Sequence, residues 1–278
     1  MTPLSDRIGL HSWTLDTTPI EDVLRIARET GYAAVELRFI DYKRALERGM
    51  GREKYLELVH RSGVKVGVMG IENGLVFAEG PERERLLESL ETSCANAVAV
   101  GCDTLMISPG QNPHGTVQDA AANLGLAGRI AARHHLKLAL EFSSGHPMLN
   151  SLAIAEAIVA QTNLSNVGLL LDTYHLHATG AGGRGFEKVA PDQIFAFQFS
   201  DVPPDAKCGQ GSPLDRLPPG QGEVQWRDVF TLLDEKGYGG YIMYEAPNPA
   251  QWNRSPQAVA SEGVQAARAL IASAGRGR

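Results

Sequence analysis

Three cysteines in 278 residues, Cys94, Cys102 and Cys208, are too few and too irregularly spaced for a disulfide framework. An odd number with no C-x-x-C pair points to reduced thiols in a cytoplasmic protein. No apolar stretch reaches about 18 residues, so no transmembrane helix is expected. The opening Met1-Thr-Pro-Leu-Ser-Asp6 has no basic region followed by an apolar one, so no secretory signal is expected. Long basic runs are missing too. With a net charge of −6, composition gives no support for nucleic-acid or anionic-membrane binding. Gly9-Leu-His-Ser-Trp-Thr does not supply a G-x-G-x-x-G dinucleotide loop, which counts against a Rossmann domain.

What is present is ordinary globular composition, 43% hydrophobic and 21% charged. The chain alternates strand and helix from end to end. Apolar runs predict eight strands at Arg7–Trp13, Ala33–Arg38, Val64–Ile71, Thr104–Ser108, Leu136–Glu141, Val167–Asp172, Ile194–Ser200 and Gly240–Glu245. Amphipathic stretches predict helices at Ile20–Thr30, Arg52–Ser62, Glu82–Val100, Val117–His134, Leu149–Gln161, Trp226–Lys236 and Pro256–Ser273, with a weak one at Gly185–Val189. Gly31, Gly63, Gly101 and Gly237 each precede a strand, where a left-handed helix cap suits glycine. Eight such units without a linker predict one (β/α)₈ TIM barrel over residues 1–278. Two long loops, Glu72–Pro81 and Asp201–Val224, fall after the third and seventh strands, on the face where such barrels carry chemistry.

Four of the runs deliver an oxygen donor at their C-terminal end: Glu141, Asp172, Gln198 and Glu245. Any one of them alone is more simply a helix cap or a salt-bridge partner. Together at one barrel mouth, three carboxylates repel unless something positive sits among them. No Lys or Arg stands at those strand ends, so a divalent cation is expected there. An all-oxygen set favours Mn²⁺, Mg²⁺ or Co²⁺, with zinc still a candidate.

Around that centre stand further candidates. His175, one turn past Asp172, is placed to hydrogen-bond a substrate oxygen or move a proton. His146 on the fifth loop is a similar candidate, and Arg216 on the seventh could clamp substrate or pair with Asp215 or Asp201. His11 and Trp13 end the first strand as pocket lining, although Trp13 suits plain packing equally. Glu72 and Glu36 point to the mouth, with Glu36 also able to pair with Arg38 or Arg7. His134-His135 precedes a strand at the opposite face and receives no role.

The residues Leu140-Glu141, Asp172-Thr-Tyr-His175, Gln198-Phe-Ser-Asp201, Asp215-Arg216 through Pro219-Gly-Gln-Gly222, and Gly237-Tyr-Gly-Gly-Tyr241 leading to Glu245 resemble the xylose isomerase-like barrel superfamily. That group holds ketose 3-epimerases, hydroxypyruvate isomerase, inosose dehydratase and 3-dehydroshikimate dehydratases. The resemblance covers nearly the whole chain and implies metal binding at Glu141, Asp172 and Glu245. The position of Gln198 is usually histidine in such relatives; a glutamine keeps an oxygen donor but loses the basic nitrogen. The implied chemistry is proton removal next to a carbonyl through a metal-stabilised enediolate, carried by Glu141, Glu245 and His175. The expected function is a metal-dependent isomerase or epimerase of a small ketose or keto-polyol. The alternative is a dehydratase of a cyclic keto-polyol, with His175 or His146 as leaving-group acid. A non-catalytic sugar-binding barrel is disfavoured by the intact carboxylates, and an apurinic endonuclease by the acidic charge. A homo-oligomer could form through the apolar face of Val117–Ile130.

Overall fold

The computed structural model describes residues 2–204 and 214–275. Its eight strands are β1 (Ile8–His11), β2 (Ala34–Leu37), β3 (Lys65–Gly70), β4 (Thr104–Ile107), β5 (Lys137–Glu141), β6 (Val167–Asp172), β7 (Ile194–Phe199) and β8 (Ile242–Tyr244). They pair in parallel in chain order, and β8 closes on β1. Every expected strand is found, most of them trimmed by a residue or two. Trp13 lies outside β1, in a 3-10 turn over Ser12–Leu15.

The helices are α1 (Ile20–Thr30), α2 (Phe39–Glu47), α3 (Arg52–Arg61), α4 (Gly80–Ala99), α5 (Val117–Arg133), α6 (Leu152–Thr162), α7 (Thr173–Ala178), α8 (Trp226–Glu235), α9 (Pro249–Trp252) and α10 (Pro256–Gly275). Gly31, Gly63, Gly101 and Gly237 all take positive φ, as their positions require. Sequence periodicity misses α2 because only Asp41 and Ala45 of it are buried. That helix is held at its start by Asp41, which accepts the Arg38 amide at 2.9 Å. Helix α6 begins three residues later than expected, because the Leu149 amide is bonded to His146 Nδ1 at 2.9 Å. Residues 185–189 form turns rather than a helix: a Cβ on Gly185 would stand 2.2 Å from the Ala181 carbonyl oxygen.

Strand alternation builds the barrel interior in layers. Ala34, Val68, Met106, Ala139, Leu170, Ala196 and Met243 form one apolar plug inside the barrel. Two residues further along, on the same face, come Glu36, Gly70, Ser108, Glu141, Asp172, Gln198 and Glu245. His11 stands likewise two residues after Gly9 of β1. The outward strand faces pack against the helices in a second, larger core. The apolar face of α5 belongs to that core: Ala120, Leu124, Ala127 and Ala131 are fully buried. That face is therefore used within the chain, as the core of a single barrel also requires. No helix among the described residues is long and apolar enough to cross a membrane.

Candidate active site

The layer above the plug gathers the side chains expected to carry chemistry. Glu141, Asp172, Gln198 and Glu245 are all buried at the C-terminal ends of β5 to β8. Asp172 also caps α7, its Oδ1 accepting the Tyr174 amide at 2.9 Å. One ligand atom each from Glu141, Asp172 and His175 lies within 4.8 Å of the others, so His175 joins the possible donor set.

The strand ends carry no Lys or Arg of their own, yet a basic side chain reaches these carboxylates from a loop. Arg216, only 1% exposed, reaches in from the long loop after β7. Its Nη1 donates to Asp172 Oδ2 at 2.6 Å and to Glu245 Oε2 at 2.7 Å. The guanidinium also lies over the Tyr174 ring, 4.7 Å from its centre. Neither suggested salt-bridge partner takes it. Asp215 accepts the Tyr174 hydroxyl at 2.9 Å. Asp201 accepts the amides of Val202, Gly220 and Val224 and the indole N–H of Trp226, at 2.7 to 3.0 Å. Asp201 also pairs its own backbone with Leu217 in both directions, so it fixes the loop that delivers Arg216.

The Arg216 guanidinium acts on three buried carboxyl groups, Asp172, Glu245 and Glu141, and Glu36 is buried beside them. The excess shows in their acidities. Burial, reinforced by Glu245 and Asp172, pushes the Glu141 carboxyl well above the usual range. Burial and then Glu245 do the same to Glu36. Burial pushes Glu245 up to about 7 even against the opposing charge of Arg216. Arg216 itself is held more firmly protonated, because Asp172, Glu245 and Glu141 outweigh its burial. Burial lowers the His175 imidazole to about 4, so it is neutral near pH 7. Its Nδ1 faces the Ser144 amide and hydroxyl, at 3.2 and 3.0 Å.

These residues fit a divalent cation on one further observation. Gln198 is fully buried, and its Nε2 donates to Glu36 Oε1 at 2.9 Å. Its Oε1 has no donor among the described residues. A buried acceptor left unpaired costs about 1–3 kcal/mol, which coordination would relieve. Carboxylates and a free carboxamide oxygen make a competent donor set.

The remaining candidates divide. A cavity of about 740 Å³ opens above the layer, with Glu141, Glu245, His175 and Arg216 at its charged side. Trp13 and His146 form wall, and Asn73, Ser108, Gln111 and Ser143 offer neutral polar groups that sequence reading missed. The available signal was the two-residue period from the plug: Gly70 and Ser108 put no bulk on the β3–β4 side, which leaves the room. His11 does not line this cavity. Its Nδ1 accepts the Trp13 amide at 3.0 Å, and its Nε2 lies 3.1 Å from Glu245 without a hydrogen bond among the described residues. His146 is committed to its loop: Nδ1 accepts the Met148 and Leu149 amides, and Nε2 faces the Asn112 carbonyl at 2.9 Å. With both nitrogens engaged by backbone, it is not a free leaving-group acid. Glu72 is turned away from the cavity, gripped by both terminal nitrogens of Arg85 and by Ser89. Glu36 pairs with neither Arg38 nor Arg7. Arg38 holds Asp16 and Asp41, and Arg7 donates to the carbonyls of Thr2 and Gly240. Cys208 lies outside the described residues. A second cavity, of about 640 Å³, opens at the opposite face beside Lys65 and Lys137 and contains no candidate residue.

A profile of the xylose isomerase-like TIM barrel family matches residues 24–270. The chain belongs to this family. Among curated relatives, an inosose isomerase of Halalkalibacterium halodurans is 34% identical over 130 residues, covering 46% of this chain and 45% of the relative. One from Bacillus subtilis is 32% identical over 141 residues, covering 50% and 49%. The chain thus spans about half the length of these relatives. A solved structure, that of the IolI protein with a bound zinc atom, superposes with a TM-score of 0.82 at 21% identity, covering 96% of this chain and 97% of that one. At that identity the likeness shows the fold.

Proposed function

We propose that the chain is a divalent-metal-dependent isomerase or epimerase of a small ketose or keto-polyol, an inosose being the first candidate. The observation that carries this reading is the pair Glu141 and Glu245. Both are buried carboxyls that hold their protons more tightly than an ordinary carboxyl, and both border the same cavity. A proton next to a carbonyl is weakly acidic, and a base that ionises near 7 can both take it and return it at neutral pH. Glu141, Asp172, Gln198 and Glu245 would hold the cation, with His175 as a possible fifth donor. When bound, it would supply Lewis acidity at the substrate carbonyl. The chain's own groups do the rest. Glu245 and Glu141, from β8 and β5, carry the proton off one carbon and onto the same or the neighbouring one. Arg216, already charged and desolvated, offers Nη2 as a hydrogen-bond donor to a substrate oxygen. Trp13 supplies an apolar wall for the carbon face of a sugar. The relatives that act on inosose support this substrate class.

A dehydratase outcome is the second reading, favoured by the upward shift of the Glu141 carboxyl, which burial keeps protonated above the usual carboxylate range. A carboxyl that keeps its proton can deliver it to a departing hydroxide. Neutral His175 and backbone-bound His146 are weaker acids for that step.

The Mn²⁺-loaded protein, incubated with inososes and small ketoses in deuterated water, should yield an isomer or epimer carrying carbon-bound deuterium. Glu245→Gln should reduce that exchange by about 10²-fold or more. An unsaturated, ultraviolet-absorbing product would favour the dehydratase. Absence of both from every substrate tried would refute the enolisation reading.

A further inference from the structure

We propose that Glu36 is a positioning residue that holds the Gln198 carboxamide with its oxygen toward the cation site, making residue 198 an oxygen ligand. The inference rests on the metal reading above and deepens it. A carboxamide is nearly symmetric in shape, and its two ends differ only in whether they donate or accept. Set beside Asp172 in the ladder of β6 and β7, and near Glu141 and Glu245, the Gln198 amide would naturally turn its NH₂ toward a carboxylate. In that sense it would present two N–H groups to a cation and could not bind it. Glu36 prevents this from across the barrel. It stands on β2, and its Oε1 accepts Gln198 Nε2 at 2.9 Å. The NH₂ is thereby drawn away and Oε1 is left as a buried acceptor without a donor.

Nothing else accounts for Glu36 as well. It is fully buried at the inward layer, and neither Arg38 nor Arg7 reaches it. The one nearby ring nitrogen, His11 Nε2, is 3.7 Å away and closer to Glu245. Its second oxygen has no hydrogen-bond partner among the described residues. A carboxyl group deep in a barrel, bonded to one carboxamide, has the arrangement of an outer group that orients a metal ligand; removing such groups typically weakens metal affinity about 10- to 100-fold.

The test is Mn²⁺ titration by calorimetry on the chelator-stripped protein, with no substrate present. Glu36→Gln is nearly isosteric but can turn an NH₂ toward residue 198 in place of the accepting oxygen, so it no longer dictates the sense of the amide. It should weaken Mn²⁺ about tenfold. Gln198→Ala should weaken it comparably, and the double variant should be no weaker than Gln198→Ala alone, because Glu36 acts through that side chain. Glu36→Asp, which keeps a carboxyl oxygen as acceptor, should recover part of the loss. The Co²⁺-loaded Glu36→Gln protein should also show an altered visible spectrum. Metal binding that Glu36→Gln leaves unchanged, or losses that multiply in the double variant, would overturn this assignment alone. No binding by the unaltered protein would overturn the metal reading and this assignment with it.

Discussion

Arg216 is the residue on which the charge balance of the site turns. It is the cationic partner of Asp172 and Glu245, and it is fully desolvated. Replacing it with methionine leaves two buried carboxyls facing each other unpaired. Arg216→Met in chelator-treated protein should therefore lose about 3–5 kcal/mol of stability in urea unfolding. Saturating Mn²⁺ should return part of that loss; a variant as stable as the parent without metal would show that the pairing is incidental. The second test at this scale is pH. The unfolded Glu245 ionises near the ordinary carboxyl value, whereas the folded one keeps its proton up to about 7. Between those limits the folded state binds the extra proton, so the contribution of this group to stability declines as pH rises through that window. Glu245→Gln removes the titration. The melting temperature of the metal-free parent relative to this variant should fall from pH 4.5 to 7, and a flat difference would refute the upward shift of the Glu245 carboxyl.

At the scale of elements, the loop after β7 carries the functional argument. Asp201 closes its two ends with four accepted hydrogen bonds and a two-way backbone pair to Leu217. Gly222 passes so close that a Cβ would stand 2.2 Å from the Val202 carbonyl oxygen. Asp201→Ala should orphan several buried donors, each costing about 1–3 kcal/mol, and should release Arg216 from the site. Urea unfolding and Mn²⁺ titration of this variant should both change. A large stability loss with unaltered Mn²⁺ affinity would separate the loop from the site. Glu72 shows the opposite case. It stands at a strand end, where a functional carboxylate is expected, yet α4 brings Arg85 and Ser89 against it. A helix thirteen residues downstream decided its role, and nothing at the strand end announced that.

For the whole molecule, the apolar plug is what lifts the polar layer to the mouth. Leu170 fills its centre with no exposure and stands two residues below Asp172. Leu170→Ala should cost about 2–5 kcal/mol through the cavity it leaves, read from urea unfolding. Because one closed sheet links all eight strands, that loss should appear in a single transition rather than in one half of the barrel. The relation between plug and polar layer also explains how much was legible beforehand. Val167–Asp172 reads as a buried strand because every residue of it is apolar or glycine until the carboxylate, and the structure places those bounds on the same residues. Glu141, Gln198 and Glu245 follow from the same pattern. Periodicity in a strand is local, so it fixes which side chains enter the barrel without any knowledge of their neighbours.

The amino-acid order alone therefore determined the eight alternating units, the glycine caps and the row of oxygen donors at one rim. Only the closed barrel decided who meets whom across it. It put Arg216 between Asp172 and Glu245, Glu36 against Gln198, His11 behind Glu245 and the His146 ring into its own loop. These contacts join residues from 2 to 234 positions apart. Hydrogen bonds and charge pairing act through space, and the distances they depend on exist only once the chain has closed on itself.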